Sequence, residues 1–178
     1  VSTALSFQNL EDQYCTDASA RFISVDNIYP AGGSADWTGD MLTNESASSA
    51  VFDPGLVAAG SSYPVTYRYT SPNGCKSSII SKNVKINALP DPSFSLNPSY
   101  NVEGDPDLLI PVLPGGTFTG SGIVGDEFYP DLAGVGNHDI RYSVTDANGC
   151  FATTTNTTDV REAQGSIDDL PAVICYND

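Results

Sequence analysis

One ordered set of short motifs occurs twice in this chain, and that duplication limits the possible folds more than any other feature. The first copy carries Pro30-Ala31-Gly32-Gly33, Phe52-Asp53-Pro54-Gly55-Leu56, Ala59-Gly60, Val65-Thr66-Tyr67 and Asn73-Gly74-Cys75. The second carries Leu113-Pro114-Gly115-Gly116, Phe128-Tyr129-Pro130-Asp131-Leu132, Ala133-Gly134, Ile140-Arg141-Tyr142 and Asn148-Gly149-Cys150. Pro54 and Pro130 lie 76 residues apart, Tyr67 and Tyr142 lie 75 apart, and Cys75 and Cys150 lie 75 apart. Five features kept in one order, the later ones at closely agreeing offsets, imply a single folding unit used twice. Each unit, of about 80–90 residues, is large enough to bury a modest core.

The stretch Ala88-Leu89-Pro90-Asp91-Pro92 separates the copies, and its two prolines stop a strand and stiffen a short linker. The predicted boundaries are 1–88 for the first repeat and 89–165 for the second, with 166–178 as the start of a third repeat or a terminal strand. The last assignment follows from Leu170-Pro171-Ala172-Val173-Ile174-Cys175, which is similar to Leu10-Glu11-Asp12-Gln13-Tyr14-Cys15. The chain reads as an excised piece of something longer, without a signal peptide.

Period-two alternation dominates the hydrophobic pattern. Val65, Tyr67 and Tyr69 alternate with polar neighbours, as do Val84 and Ile86, and Ile140, Tyr142 and Val144. That pattern marks half-buried strands, and 16 glycines and 12 prolines punctuate them closely enough to imply a sandwich or a barrel. Only 16% of residues are charged, so Ser, Thr, Asn and Gly must cover most of the surface, as in extracellular all-β proteins. The net charge of −15 opposes binding to nucleic-acid phosphates and to anionic lipid headgroups. No run of about 18 apolar residues is present, so no helical membrane insertion is expected.

Ala59-Gly60-Ser61-Ser62-Tyr63-Pro64-Val65-Thr66-Tyr67 followed by Asn73-Gly74-Cys75 resembles PKD-like and other immunoglobulin-like repeats. Gly115 through Cys150 resembles, nearly end to end, the repeats of giant surface proteins of Bacteroidota. In those repeats a Gly-Gly-Thr-Phe-Thr-Gly-Ser-Gly-like loop, a Phe-Tyr-Pro turn, an Ala-Gly and an Asn-Gly-Cys recur in that order. The resemblance implies an all-β fold of two tandem immunoglobulin-like β-sandwich domains in an elongated arrangement. It also implies export to the cell surface by the type IX secretion route, with roles in adhesion that include gliding motility. The first copy departs from the pattern between Gly33 and Phe52, a span of 19 residues where Gly116 to Phe128 takes 12. The longer loop, with Trp37 and Met41, could be decoration or a contact surface.

Four cysteines in a non-cytosolic chain suggest disulfides. Cys15 and Cys75 stand at the two ends of the first copy, and the repeat pattern pairs them. Such a bond would close a loop of about 60 residues, a stabilisation of about 4 kcal/mol in the chain-entropy model. By alignment Val102 stands where Cys15 stood, so Cys150 has no partner in its own copy. Cys150 and Cys175 either pair with each other across a hairpin near Glu162 to Gly165, or each pairs elsewhere in a longer protein. No two cysteines have the close spacing of a zinc site.

Other motifs carry less. Gly120-Ser121-Gly122-Ile123-Val124-Gly125 has the spacing of a dinucleotide-binding loop, but Asp126-Glu127-Phe128-Tyr129-Pro130 cannot continue as the required helix. His138 takes the place of Tyr63 in the first copy, a strand-edge position with no catalytic context. Glu103, Asp105 and Asp107, with Gly104 for a turn, partly fit a calcium loop, and Asp126, Glu127 and Asp131 form a second acidic group. No cofactor other than calcium is suggested. Asn44-Glu45-Ser46 and Asn156-Thr157-Thr158 match the glycosylation sequon.

The expectation is a non-catalytic structural and adhesive repeat segment of a bacterial cell-surface adhesin. Its partners would be neighbouring repeats, surface polysaccharide or another cell. One alternative is a carbohydrate-binding accessory module of a secreted polysaccharide-degrading enzyme, which should display a flat row of aromatics including Trp37. The other is a subunit of a surface filament.

Overall fold

The computed structural model describes residues 4–162, and the expected third segment at 166–178, with Cys175, lies outside them. Two compact units account for the described chain. The first holds residues 4–90 together with Thr145–Phe151, and the second holds Asp91–Val144 and residues 152–162. Both are built from strands.

The first unit contains β1 (Ser6–Gln8), β2 (Gln13–Cys15), β3 (Arg21–Asp26), β4 (Ser34–Thr38), β5 (Leu42–Thr43), β6 (Ser49–Phe52), β7 (Ser62–Thr70) and β8 (Ile80–Asn87). One sheet has the order β1-β3-β6-β5 and the other β2-β8-β7-β4. Apart from β2, which runs parallel to β8, the neighbours pair antiparallel. This is the strand order of an immunoglobulin sandwich, with the short β2 added beside the last strand. The alternation read from the sequence becomes the inner faces: Val65, Tyr67 and Tyr69 on β7 and Val84 and Ile86 on β8 are buried. Facing them from the other sheet are Ile23, Val25, Ala50 and Phe52.

Trp37 and Met41 are part of this core and do not form an outer contact surface. Trp37 is 8% exposed and Met41 0%. The Trp37 ring meets Tyr67 edge-on with centroids 4.7 Å apart, and its Nε1 donates to the Ser46 carbonyl at 2.8 Å. Tyr67 Oη donates to the neighbouring Ala47 carbonyl at 2.7 Å. The extra residues of the first copy therefore form a loop fastened from beneath by two core aromatics. The short β5 within that loop pairs with β6 and brings Leu42 inside.

The second unit contains β9 (Ser99–Asn101), β10 (Asp107–Leu108), β11 (Thr117–Thr119), β12 (Ile123–Val124), β13 (Glu127–Phe128), a helical turn α1 (Pro130–Ala133), β14 (Gly136–Thr145) and β15 (Phe151–Arg161). Its sheets run β10-β13-β12 and β11-β14-β15-β9, with β9 parallel to β15. A bridge between Phe94 and Pro111 stands where β1 meets β3 in the first unit. Phe94, Phe118 and Tyr142 form the centre of its core, with Phe118 4.5 Å from Tyr142 and 5.0 Å from Phe94 between centroids. The glycine-rich stretch 120–125 contains β12, with Gly122 at φ 77° before it and Gly125 at φ 65° after it, and leads into β13 rather than a helix.

Candidate functional site

The two Asn-Gly-Cys turns have one backbone design. In the first, Ser71 N donates to the Cys75 carbonyl at 2.9 Å and Gly74 N donates to the Ser71 carbonyl at 2.9 Å. In the second, Asp146 N donates to the Cys150 carbonyl at 2.9 Å and Gly149 N to the Asp146 carbonyl at 3.1 Å. Gly74 and Gly149 take φ of 82° and 83°, the left-handed region that glycine enters without strain. The cysteine amide is capped by a side chain in each case. Cys75 N donates to Ser71 Oγ at 3.1 Å, and Cys150 N donates to Asp146 Oδ1 at 2.8 Å. The Cys150 amide, with those of Asn148 and Gly149, holds the Asp146 carboxyl below its ordinary value.

The cysteines do not pair as the repeat pattern predicted. Cys15 is bonded to Cys150, with an S–S distance of 2.03 Å and Cα atoms 5.6 Å apart, across 135 residues of sequence. Cys75, the expected partner of Cys15, is exposed and has no partner among the described residues. Cys150 is therefore not free to pair with Cys175. Both ends of the bond lie in the first unit, because Thr145–Phe151 is counted there.

A tyrosine clamp shows how the turns differ. Tyr69 Oη donates to the Pro30 carbonyl at 2.6 Å and accepts from Gly33 N at 2.7 Å. Tyr142 Oη does the same with the Leu113 carbonyl at 2.7 Å and Gly116 N at 2.8 Å. By the motif offset, however, Tyr142 matches Tyr67 and not Tyr69. The second copy therefore places its clamp one two-residue step lower on the strand. Two residues separate Tyr69 from Ser71, whereas four separate Tyr142 from Asp146. The second turn stands about 7 Å farther beyond its clamp than the first. Cys150 is fully buried at its bond, while Cys75 faces solvent.

The acidic residues proposed for calcium are not assembled. Glu103 and Asp105 are exposed, and Asp107 accepts hydrogen bonds from Tyr100 Oη and from Asn97 Nδ2, the latter at 2.9 Å. Burial, reinforced by Asp107, pushes the Tyr100 hydroxyl up to about 12. In the second acidic group, Glu127 Oε2 accepts from Tyr129 Oη at 2.7 Å. Among the described residues no three His, Cys, Asp or Glu side chains form a metal-binding group. His138 Nε2 lies 2.7 Å from the Gly134 carbonyl, much as Tyr63 Oη donates to the Ala58 carbonyl at 2.8 Å. That is the structural position expected from the repeat. Asn156 Nδ2 is engaged with the Phe94 carbonyl at 2.9 Å, whereas Asn44 is exposed at φ 50°.

A surface depression of about 350 Å³ in the first unit is bordered by Tyr29, Asn27, Ser77 and Ser78. There Asn27 Nδ2 donates to the Ala4 carbonyl and Ser77 Oγ to the Ser78 carbonyl. Among the described residues no helix is long and apolar enough to cross a membrane.

No protein-family profile matches the chain, and no curated protein sequence does. Among solved structures it is similar to the D00-D0 domain of intimin, at 12% identity and a TM-score of 0.39, covering 89% of this chain and 100% of that one. It is also similar to the titin domains Z1Z2 in complex with telethonin, at 13% identity and a TM-score of 0.34, covering 92% of this chain and 100% of that one. The sheets of the chain itself define its class: an all-β protein of two tandem immunoglobulin-like β-sandwiches.

Proposed function

We propose that the chain is a non-catalytic structural and adhesive repeat segment of a secreted bacterial cell-surface adhesin, serving attachment or gliding. The observation that carries this reading is the Cys15–Cys150 bond, a disulfide closed across 135 residues of sequence. A disulfide of that kind suits a segment that works outside the reducing cytoplasm. The resemblance of Gly115 through Cys150 to repeats of giant Bacteroidota surface proteins supports surface display, and export by the type IX route with it. A surface rich in Ser, Thr, Asn and acidic side chains keeps such a segment hydrated. The carbohydrate-module alternative called for Trp37 in an exposed aromatic row, and that ring is in the core.

An antibody raised against the purified chain tests the proposal. It should label intact producing cells and slow their attachment or gliding on glass. Labelling that appears only after lysis overturns surface display, and labelling without any effect on attachment or movement overturns the adhesive role.

A further inference from the structure

We propose that Asn73 is a site of self-modification, converting with water to aspartate and isoaspartate, and that its counterpart Asn148 is guarded from the same reaction by the Asp146 carboxylate. The inference is independent of whether the chain is adhesive.

Two observations carry it. The first is that both asparagines are exposed and precede a glycine whose surroundings are open. A Cβ built on Gly74 or on Gly149 would meet nothing within 4 Å. The backbone gives the two turns the same brake, since Gly74 N donates to the Ser71 carbonyl at 2.9 Å and Gly149 N to the Asp146 carbonyl at 3.1 Å.

The second observation is a difference between their side chains. Asp146 holds Asn148 at two points: Asn148 N donates to Oδ1 at 2.9 Å and Asn148 Nδ2 donates to Oδ2 at 3.2 Å. The Gly149 amide helps to keep that carboxyl below its ordinary value. In the first turn Ser71 stands 75 residues earlier, in the place of Asp146. Its Oγ accepts from Cys75 N at 3.1 Å, and among the described residues no partner holds the Asn73 side chain.

The reaction needs no oxidant and no enzyme. Gly74 N gives its proton to solvent base and attacks Asn73 Cγ. A C–N bond forms, Nδ2 departs as ammonia, and a five-membered succinimide remains. Water then adds to one of the two imide carbonyls. Opening at Cγ leaves aspartate, and opening at the main-chain carbonyl leaves isoaspartate, whose backbone runs through Cβ and Cγ. One water is consumed and one ammonia released. In the second turn the carboxylate disfavours the amide anion by like charge. Its bond to Nδ2 also resists the rotation that brings Cγ to the glycine nitrogen.

Incubation of the purified chain in warm, mildly alkaline buffer tests this, with peptide mapping and isoaspartyl methyl-transfer labelling at both sites over time. Asn73 should convert about tenfold faster than Asn148, the effect on a rate of one charge-assisted hydrogen bond. Exchanging the caps should exchange the rates: Asp146→Ser should release Asn148, and Ser71→Asp should slow Asn73. In each variant the untouched turn serves as the internal standard, so the ratio of the two rates is the quantity read. Three results overturn the proposal: equal rates in the unsubstituted chain; an Asn148 that stays slow in Asp146→Ser, which would make the Cys15–Cys150 bond the guard; or an Asn73 no slower in Ser71→Asp.

Discussion

Asp146 shows how one side chain changes the physical character of a turn that is otherwise repeated. Its carboxylate accepts from the amides of Asn148 and Cys150, at 2.9 and 2.8 Å, where the first copy uses the neutral hydroxyl of Ser71. Hydrogen bonding to the charged form lowers the folded-state pKa below the usual 3.8, chiefly through the Cys150 amide. A lowered carboxyl pKa stabilises the fold fully above the unfolded value, and the stabilisation disappears as pH falls through the folded one. The second turn should therefore loosen in acid, beginning below the usual carboxylate range, while the first should not. An NMR pH titration checks this: the Asn148 and Cys150 amides should shift and lose exchange protection with an apparent pKa under 3.8, and the Cys75 amide should not respond. A flat response at Cys150 would sink the assignment. The Asn-Gly-Cys motif made both turns legible in the sequence, but the role of Asp146 lay outside the matched residues. The sequence cue was present, since an Asp two residues before Asn-Gly is well placed to cap the amides that follow.

At the scale of elements, the two copies share a plan but set one strand pair in different register. Trp37 lies opposite Tyr67 and Phe118 lies opposite Tyr142, so the core aromatics of β4 and β11 match across copies. The clamp glycine does not match, because Gly33 is four residues before Trp37 and Gly116 is two before Phe118. A side chain on either glycine is excluded: a Cβ on Gly33 would lie 2.1 Å from the Thr70 carbonyl oxygen, and one on Gly116 2.2 Å from that of Ser143. Replacing Tyr142 by Phe removes both hydrogen bonds of the clamp and leaves the Gly116 amide and Leu113 carbonyl without that partner. The expected loss is about 1–3 kcal/mol, read as a lower urea midpoint for the second unit. Trp37→Ala should cost the first unit more, about 3–5 kcal/mol, because it opens a cavity beside Tyr67 and frees the loop carbonyl of Ser46. If Trp37→Ala left the midpoint unchanged, the loop would be decoration after all. The strands were readable from the sequence because β7, β8 and β14 alternate cleanly. The loop was misread because it lies in an insertion, where the repeat offered no counterpart to show which side chains turn inward.

For the whole molecule, the decisive fact is which cysteines meet. Motif order alone favoured Cys15 with Cys75, since both mark the limits of one copy. The register gives the reason they do not meet: Cys15 lies opposite Asn87 at the end of β8, whereas Cys75 sits in the turn between β7 and β8, so the hairpin holds the two cysteines at opposite ends of one sheet. The constant 75-residue offset between Cys75 and Cys150 carries no sign of this, because only a paired register converts sequence position into height on the sheet. The Cys15–Cys150 link spans 135 residues, so in the chain-entropy model it stabilises the folded state by about 4–5 kcal/mol relative to the reduced chain. Both bonded residues lie in the first unit, and the loss should therefore appear chiefly in that unit's unfolding. Urea denaturation of Cys15→Ser should show the transition of the first unit moved to lower denaturant, with reductant having no further effect on it. Cys75→Ser should match the unsubstituted chain, because among the described residues Cys75 has no partner to lose. Two transitions are expected, one for each core, and each needs its own midpoint. Equal losses from Cys75→Ser and Cys15→Ser would mean that the sequence-derived Cys15–Cys75 pairing governs stability in solution.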